Sequence, residues 1–258
     1  MLVDSHCHLE YEGLVEDQAV ALDRAREAGV ERFLNISTKQ AEWAQVVGTA
    51  RATPDVYASV GIHPHNADDH VDLTREELRG ATDEPKVIGI GETGLDYYYD
   101  HSDREAQQHL FRLHIDVARE VQLPVIIHTR DAEDDTLAIL EDEMGKGAFP
   151  ALIHCFTASA DFGRAVLDLG LSVSISGIVT FKSARDLQEF ALEIPRDRLL
   201  VETDSPFLAP LPHRGKPCEP GFVRDTARFL ADLRGESLEE LAGYTTRNFH
   251  SLFAKASA

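Results

Sequence analysis

The sequence predicts an α/β protein, a single (β/α)8 TIM barrel with parallel strands and an extra C-terminal helix. The length of 258 residues suits one such barrel, which needs about 250 residues. Short apolar β-branched runs alternate with longer amphipathic stretches, the pattern of repeated βα units. No low-complexity linker interrupts them, so residues 1–258 read as one domain.

Eight strands are predicted, at 2–7, 32–37, 56–62, 86–91, 124–128, 150–154, 171–176 and 198–203. The helical patterns between and after them cover 14–28, 40–52, 73–82, 103–121, 132–143, 160–169, 183–193 and 221–233, with the extra helix at 237–255. Segment 204–220, DSPFLAPLPHRGKPCEP, holds five prolines and cannot be a helix interior. It leaves the eighth strand at the face where barrel enzymes keep their chemistry, which draws attention to Arg214 and Lys216.

Composition narrows the function. No apolar run approaches the roughly 18 residues of a membrane span, and the first residues, MLVDSHCHLE, lack signal-peptide character. Cys7, Cys155 and Cys218 have no CxxC spacing, so neither a disulfide framework nor a thiolate zinc site is expected, and a reducing cytoplasm fits. A formal charge of −20 argues against coating nucleic acid by phosphate neutralisation. It leaves a nuclease open, because bound divalent ions can dominate the local field of a deep site.

Ligand-type residues end six of the predicted strands: His6 and His8, His63, Glu92, His128, His154, and Asp204. His6 and His8 lie two apart on a strand, so both imidazoles share a face while Cys7 points oppositely. The six strand ends meet at the C-terminal face of one barrel. Setting His63 aside, four histidines and two carboxylates suit a pair of divalent ions that lower the pKa of a shared water, with Glu92 as bridge. Asp204 can bind one ion and also accept a proton from the nucleophile. The same imidazole and carboxylate set admits Mg, Mn, Zn, Ni or Co.

The motifs DSHCHL, GIHPH, GETGLDYYY, PVIIHTRDA, HCF, VETDSPFLAP, RGK, EP and TTRNF resemble, in order and spacing, the TatD-related metal-dependent deoxyribonucleases of the amidohydrolase superfamily. The resemblance runs from Asp4 to Phe253. It implies a divalent-metal centre and hydrolysis of DNA phosphodiesters at DNA ends, often from a 3′ end. It places metal ligands on His6, His8, Glu92, His128, His154 and Asp204, with His63 beside them and catalytic roles for Glu92, Asp204 and His63. It further implies that Arg130, Glu202, Arg214 and Lys216 line the substrate pocket. Departures from the family pattern fall at Glu10, Cys218 and Ser251 and touch no predicted ligand. The alternatives are an amidohydrolase-type hydrolase of a small ester, amide or lactone, and a metal-binding scaffold with vestigial activity. The expected molecule is a monomer with no membrane association and no obligate protein partner.

Other polar residues have plainer expectations. His65 reads as a turn residue or helix cap, and His70, His101, His109, His114 and His250 as ordinary helix or helix-approach histidines. His213 shares the mouth loop with Arg214. Tyr97, Tyr98 and Tyr99 stack a base or pack the rim. Cys7 and Cys155 are expected to face away from the lumen, and Asp96 and Asp131 to orient ligand imidazoles or serve as loop carboxylates.

Overall fold

The computed structural model describes residues 1–99 and 101–257. Eight parallel strands form one sheet in the order β1 to β8: β1 Leu2–Cys7, β2 Val30–Asn35, β3 Val56–Val60, β4 Val87–Asp96, β5 Val125–Arg130, β6 Ala151–Ile153, β7 Ser172–Ile175 and β8 Leu199–Val201. The ring closes just past the last strand. Cys7 bridges Ser205 in parallel, the Asp204 amide donates to the His6 carbonyl at 2.9 Å, and the His8 amide donates to the Ser205 carbonyl at 2.8 Å. The closure itself therefore sets Asp204 against His6 and His8.

Among the described residues, eight helices cover the barrel: α1 Gln18–Glu27, α2 Trp43–Ala52, α3 Arg75–Ala81, α4 Arg104–Val121, α5 Glu133–Lys146, α6 Ala160–Asp168, α7 Arg185–Glu193 and α8 Val223–Arg234. The predicted extra helix is α9, Leu238–Leu252. Its Phe249, together with Phe253 just beyond, packs against Val3, Leu34, Ile88, Ile126, Leu152 and Leu200 from the strands. That apolar plug fills the end of the barrel opposite the chemistry and leaves the C-terminal face to polar residues. Among the described residues, no helix is long and apolar enough to cross a membrane.

Several predicted boundaries shift, and three of the shifts bear on the site. The second strand begins at Val30 rather than 32 and stops at Asn35, because buried Val30 pairs with Leu2. The first helix starts later than 14, after a 3-10 turn at Val15–Asp17. The fourth strand does not end at Glu92 but runs on to Asp96, fully buried throughout.

Glycine makes that extension possible. A Cβ on Gly94 (φ +133°) would lie 2.1 Å from the His128 carbonyl oxygen, and one on Gly91 (φ +144°) 2.6 Å from the Ile126 carbonyl oxygen. With bare backbone at both positions, β4 lies tightly along β5 and brings Glu92 beside His128.

The wall near His63 is supported from outside by a histidine that carries no chemistry. His114 of α4 is fully buried; its Nδ1–H donates to the Leu110 carbonyl at 2.7 Å, and its Nε2 accepts the Ile62 amide at 3.0 Å. Burial pushes its pKa down from 6.5 to about 4. The folded state thus disfavours the imidazolium, so this contribution is full above pH 6.5 and is lost as pH falls towards 4. We expect about 3 kcal/mol of pH-dependent stability from this residue. Denaturant unfolding between pH 7 and pH 4 should show a smaller acid loss for His114→Gln than for the unchanged protein. Equal acid losses would show that His114 is not the titrating group.

Candidate metal centre

The ligand-type residues reach one point because each stands in the C-terminal half of a strand or just past its end. His6 belongs to β1 and His8 follows it, Glu92 lies within β4, His128 within β5, His154 directly follows β6, and Asp204 follows β8 in the turn that closes the ring. Asp204 adopts a left-handed φ of +59°, a conformation Asp tolerates better than most residues.

Two groups of donor atoms share Glu92. On one side, Glu92 Oε2 lies 3.3 Å from His6 Nε2 and 3.7 Å from His8 Nε2. Asp204 Oδ1 lies 3.5 and 3.4 Å from the same two nitrogens, which are themselves 3.2 Å apart. On the other side, Glu92 Oε1 lies 2.8 Å from His154 Nε2, 3.1 Å from His128 Nδ1 and 3.3 Å from His63 Nε2. Each carboxylate oxygen therefore addresses its own half of the site. A tetrahedral ion with bonds of about 2.0–2.2 Å sets its ligands about 3.3–3.6 Å apart, and His6, His8 and Glu92 converge at close to that spacing. The Nδ1 atoms of His6 and His8 are buried without a partner, leaving the converging Nε2 atoms as the functional ends of both rings.

The electrostatics keep the carboxylates ready to bind. Burial opposes ionisation of Glu92, but the positive field of His154 and hydrogen bonds from His128 and His154 hold it well below the usual carboxylate range. Burial likewise opposes charge on Asp204, and His8 and His6 outweigh it. His63 is pushed down to about 4, chiefly by burial, so it is a neutral imidazole at neutral pH, the form that can bind a metal.

A further set of residues orients the ligands. Asp96, fully buried, accepts from His128 Nε2 at 3.0 Å and from His65 Nε2 at 2.9 Å with one oxygen. Its other oxygen accepts the amides of Tyr98 and Tyr99 at 3.0 and 2.9 Å. Glu202 meets His154 Nδ1 at 3.3 Å and takes the Ser174 hydroxyl on its second oxygen. With His6 and His154 it forms another convergent group of donors. The rings of His6 and His154 stack at 3.9 Å. Such outer partners fix the tautomer and tilt of a ligand imidazole.

The centre opens into a pocket of about 590 Å³ whose walls include His8, His63, Glu92, His128, His154, Asp204, Arg130 and Phe207. Several expectations change here. Glu202 does not line the pocket: it is fully buried behind His154. Arg214 stacks over Phe181, 4.5 Å from the ring centre, and Lys216 lines a separate cleft of about 360 Å³ with Arg24 and His213. A tie from the Cys218 amide to the Pro206 carbonyl at 2.9 Å folds the mouth loop back on itself and carries RGK away from the centre. His213 meets Asp225 at 3.1 Å and stacks on Phe222. Cys155 lines the pocket rather than facing away, because β6 has already ended at Ile153 and a φ of +43° breaks the alternation. Cys7 does point outwards, donating to the Leu34 carbonyl. Asp131 is an exposed turn residue with φ +51°. His65, expected as a plain turn residue, lines the pocket and joins Asp96. Tyr11, Thr38 and Phe207 also line it and had no ligand-type signature.

Comparison with known proteins decides the family. The family described as TatD related DNase matches residues 3–254. The chain belongs to the TatD-related DNase family. A metal-dependent hydrolase of Escherichia coli K12, YcfH, described as uncharacterized, is 46% identical over 255 residues, covering 98% of this chain and 95% of its own length. A Pantoea vagans protein named 3′-5′ ssDNA/RNA exonuclease TatD is 37% identical over 246 residues, covering 93% of this chain and 94% of its own. Among solved structures, the TatD homologue YJJV of Escherichia coli K12 superimposes with a TM-score of 0.91 at 28% identity, covering 98% of both chains. This TatD-family chain is therefore a metal-dependent hydrolase on a TIM barrel.

If Glu202 positions His154, then Glu202→Gln weakens divalent-ion affinity by about 10–100-fold while the protein stays folded. A chelator-competition titration followed by circular dichroism measures both. Unchanged affinity would show that Glu202 does not position the ligand.

Proposed function

We propose that this chain is a deoxyribonuclease that hydrolyses phosphodiester bonds at DNA ends, a 3′–5′ exonuclease with two divalent ions as cofactors. The observation that carries the reading is Glu92, which offers Oε2 to His6 and His8 and Oε1 to His128, His154 and His63. The name carried by the Pantoea vagans relative supports DNA or RNA ends as the substrate, and the three free cysteines fit a reducing cytoplasm.

His6, His8, Glu92 and Asp204 would hold one ion, and Glu92, His128 and His154 the other, with His63 adjoining. When bound, a pair of divalent cations generates a nucleophile from water at neutral pH and neutralises charge on the phosphate and the departing oxygen. The chain's own residues do the rest. Asp204, partly open to the pocket, accepts the proton released as water attacks phosphorus. The Arg130 guanidinium on the pocket wall pairs with a phosphate oxygen of the strand. Asp96 and Glu202 keep the His128 and His154 rings from rotating. The buried floor excludes bulk water, so each of these interactions acts in a low dielectric.

The test uses 5′-labelled single-stranded and duplex DNA with Mg or Mn, or with EDTA. The expected result is a ladder shortening from the 3′ end, abolished by EDTA and by Glu92→Ala. Absence of cleavage with every metal, alongside turnover of a small ester or lactone, would replace the nuclease reading.

A further inference from the structure

The pocket mouth carries side chains that the metal chemistry does not use. Among the described residues, three Phe, Tyr or Trp side chains are exposed, Tyr98, Tyr99 and Phe207. All three stand on mouth loops, and Tyr99 and Phe207 line the pocket itself. Large apolar rings left in water cost hydrophobic free energy, and their grouping at one site marks a surface that a ligand covers.

The three rings are not equivalent. Tyr98 and Tyr99 already hold the Arg130 guanidinium, 4.1 and 4.7 Å from their ring centres, and their amides are tied to Asp96. Phe207, 48% exposed, makes T-shaped contacts with Tyr11 at 6.0 Å and His8 at 6.3 Å, so neither of those rings stacks parallel on it. Its support is fixed. Tyr11 stacks on His8 at 4.7 Å and its hydroxyl bonds Thr38 at 2.8 Å, while the Phe207 amide donates to the Asp204 carbonyl at 2.9 Å. Phe207 thus flanks the His8 half of the centre, and Arg130 with its tyrosines stands near Asp96 on the His128 half.

The charge balance identifies the occupant. The protein carries −20 formal charges, and among the described residues Arg130 is the one Lys or Arg lining the pocket, so Lys and Arg side chains supply little affinity for a strand. Stacking on an aromatic face supplies it instead and tolerates any base. We propose that Phe207 is the platform on which the nucleobase beside the scissile phosphate stacks, making it a specificity-determining residue for nucleic-acid ends over base-free phosphodiesters. This rests on the nuclease reading of the same site.

The test compares two single strands that differ only at the 3′ terminus, one ending in a normal nucleotide and one in its abasic tetrahydrofuran analogue. For the unchanged protein with Mn, kcat/KM should favour the base-bearing end by about tenfold to a hundredfold. That ratio should fall close to one in Phe207→Ala and return in Phe207→Trp. Phe207→Leu, which keeps an apolar side chain without a π face, should collapse the ratio as well and serves if the alanine variant does not fold. A ratio near one in the unchanged protein, or a ratio that survives Phe207→Ala and Phe207→Leu, overturns the platform. Absence of cleavage of either strand by the unchanged protein removes the nuclease reading itself.

Discussion

A carboxylate buried at the mouth of a barrel has to be paired, because an isolated charge in a low-dielectric interior is too costly to keep. Glu92 is that carboxylate, 3% exposed, and the surrounding site is arranged around its two oxygens. Histidines from four different strands or strand ends face it, at His6 and His8, His63, His128 and His154. The barrel is the scaffold that lets residues so distant in sequence meet within 2.8–3.7 Å of one group. Gly91 and Gly94 make room for the strand that carries it, and the ring closure at Ser205 brings Asp204 to the same place.

Much of this was legible in the sequence, for identifiable reasons. Strand ends in a parallel barrel share one face, so an HxH, a lone Glu and two His at the ends of apolar runs could be assigned to one centre without knowing the packing angles. What alternation could not reach was whatever follows a strand's last paired residue. Cys155 lies two residues beyond β6 in a left-handed conformation, and the face expected of it was the wrong one. Glu202 carried a signal that was available: it lies two residues before Asp204, and period two would have put it with the lumen rather than the mouth. Arg214 and Lys216 belong to a proline-rich loop whose path depends on tertiary hydrogen bonds such as Cys218 to Pro206, and no local pattern encodes that. Phe207 has no ligand-type side chain, so only its exposure beside His8 draws notice.

The division of labour follows from that arrangement. The floor is polar, buried and held by Asp96 and Glu202; the rim is aromatic, with Arg130, among the described residues, the one Lys or Arg on its lining. A strongly acidic surface repels long polyanions at a distance, while a dry centre able to hold divalent ions attracts a phosphate at close range. On the proposed nuclease reading, such a protein would engage a strand end that can enter the pocket more readily than the side of a duplex lying across its surface.

The most direct measurement is crystallographic, with anomalous scattering recorded at the edge of the bound metal. The expected result is two ions about 3.5–4 Å apart, each bound by a different oxygen of Glu92, one with His6 and His8 and the other with His128 and His154. A single ion, or two ions of which Glu92 touches one or neither, would contradict a centre organised by that carboxylate.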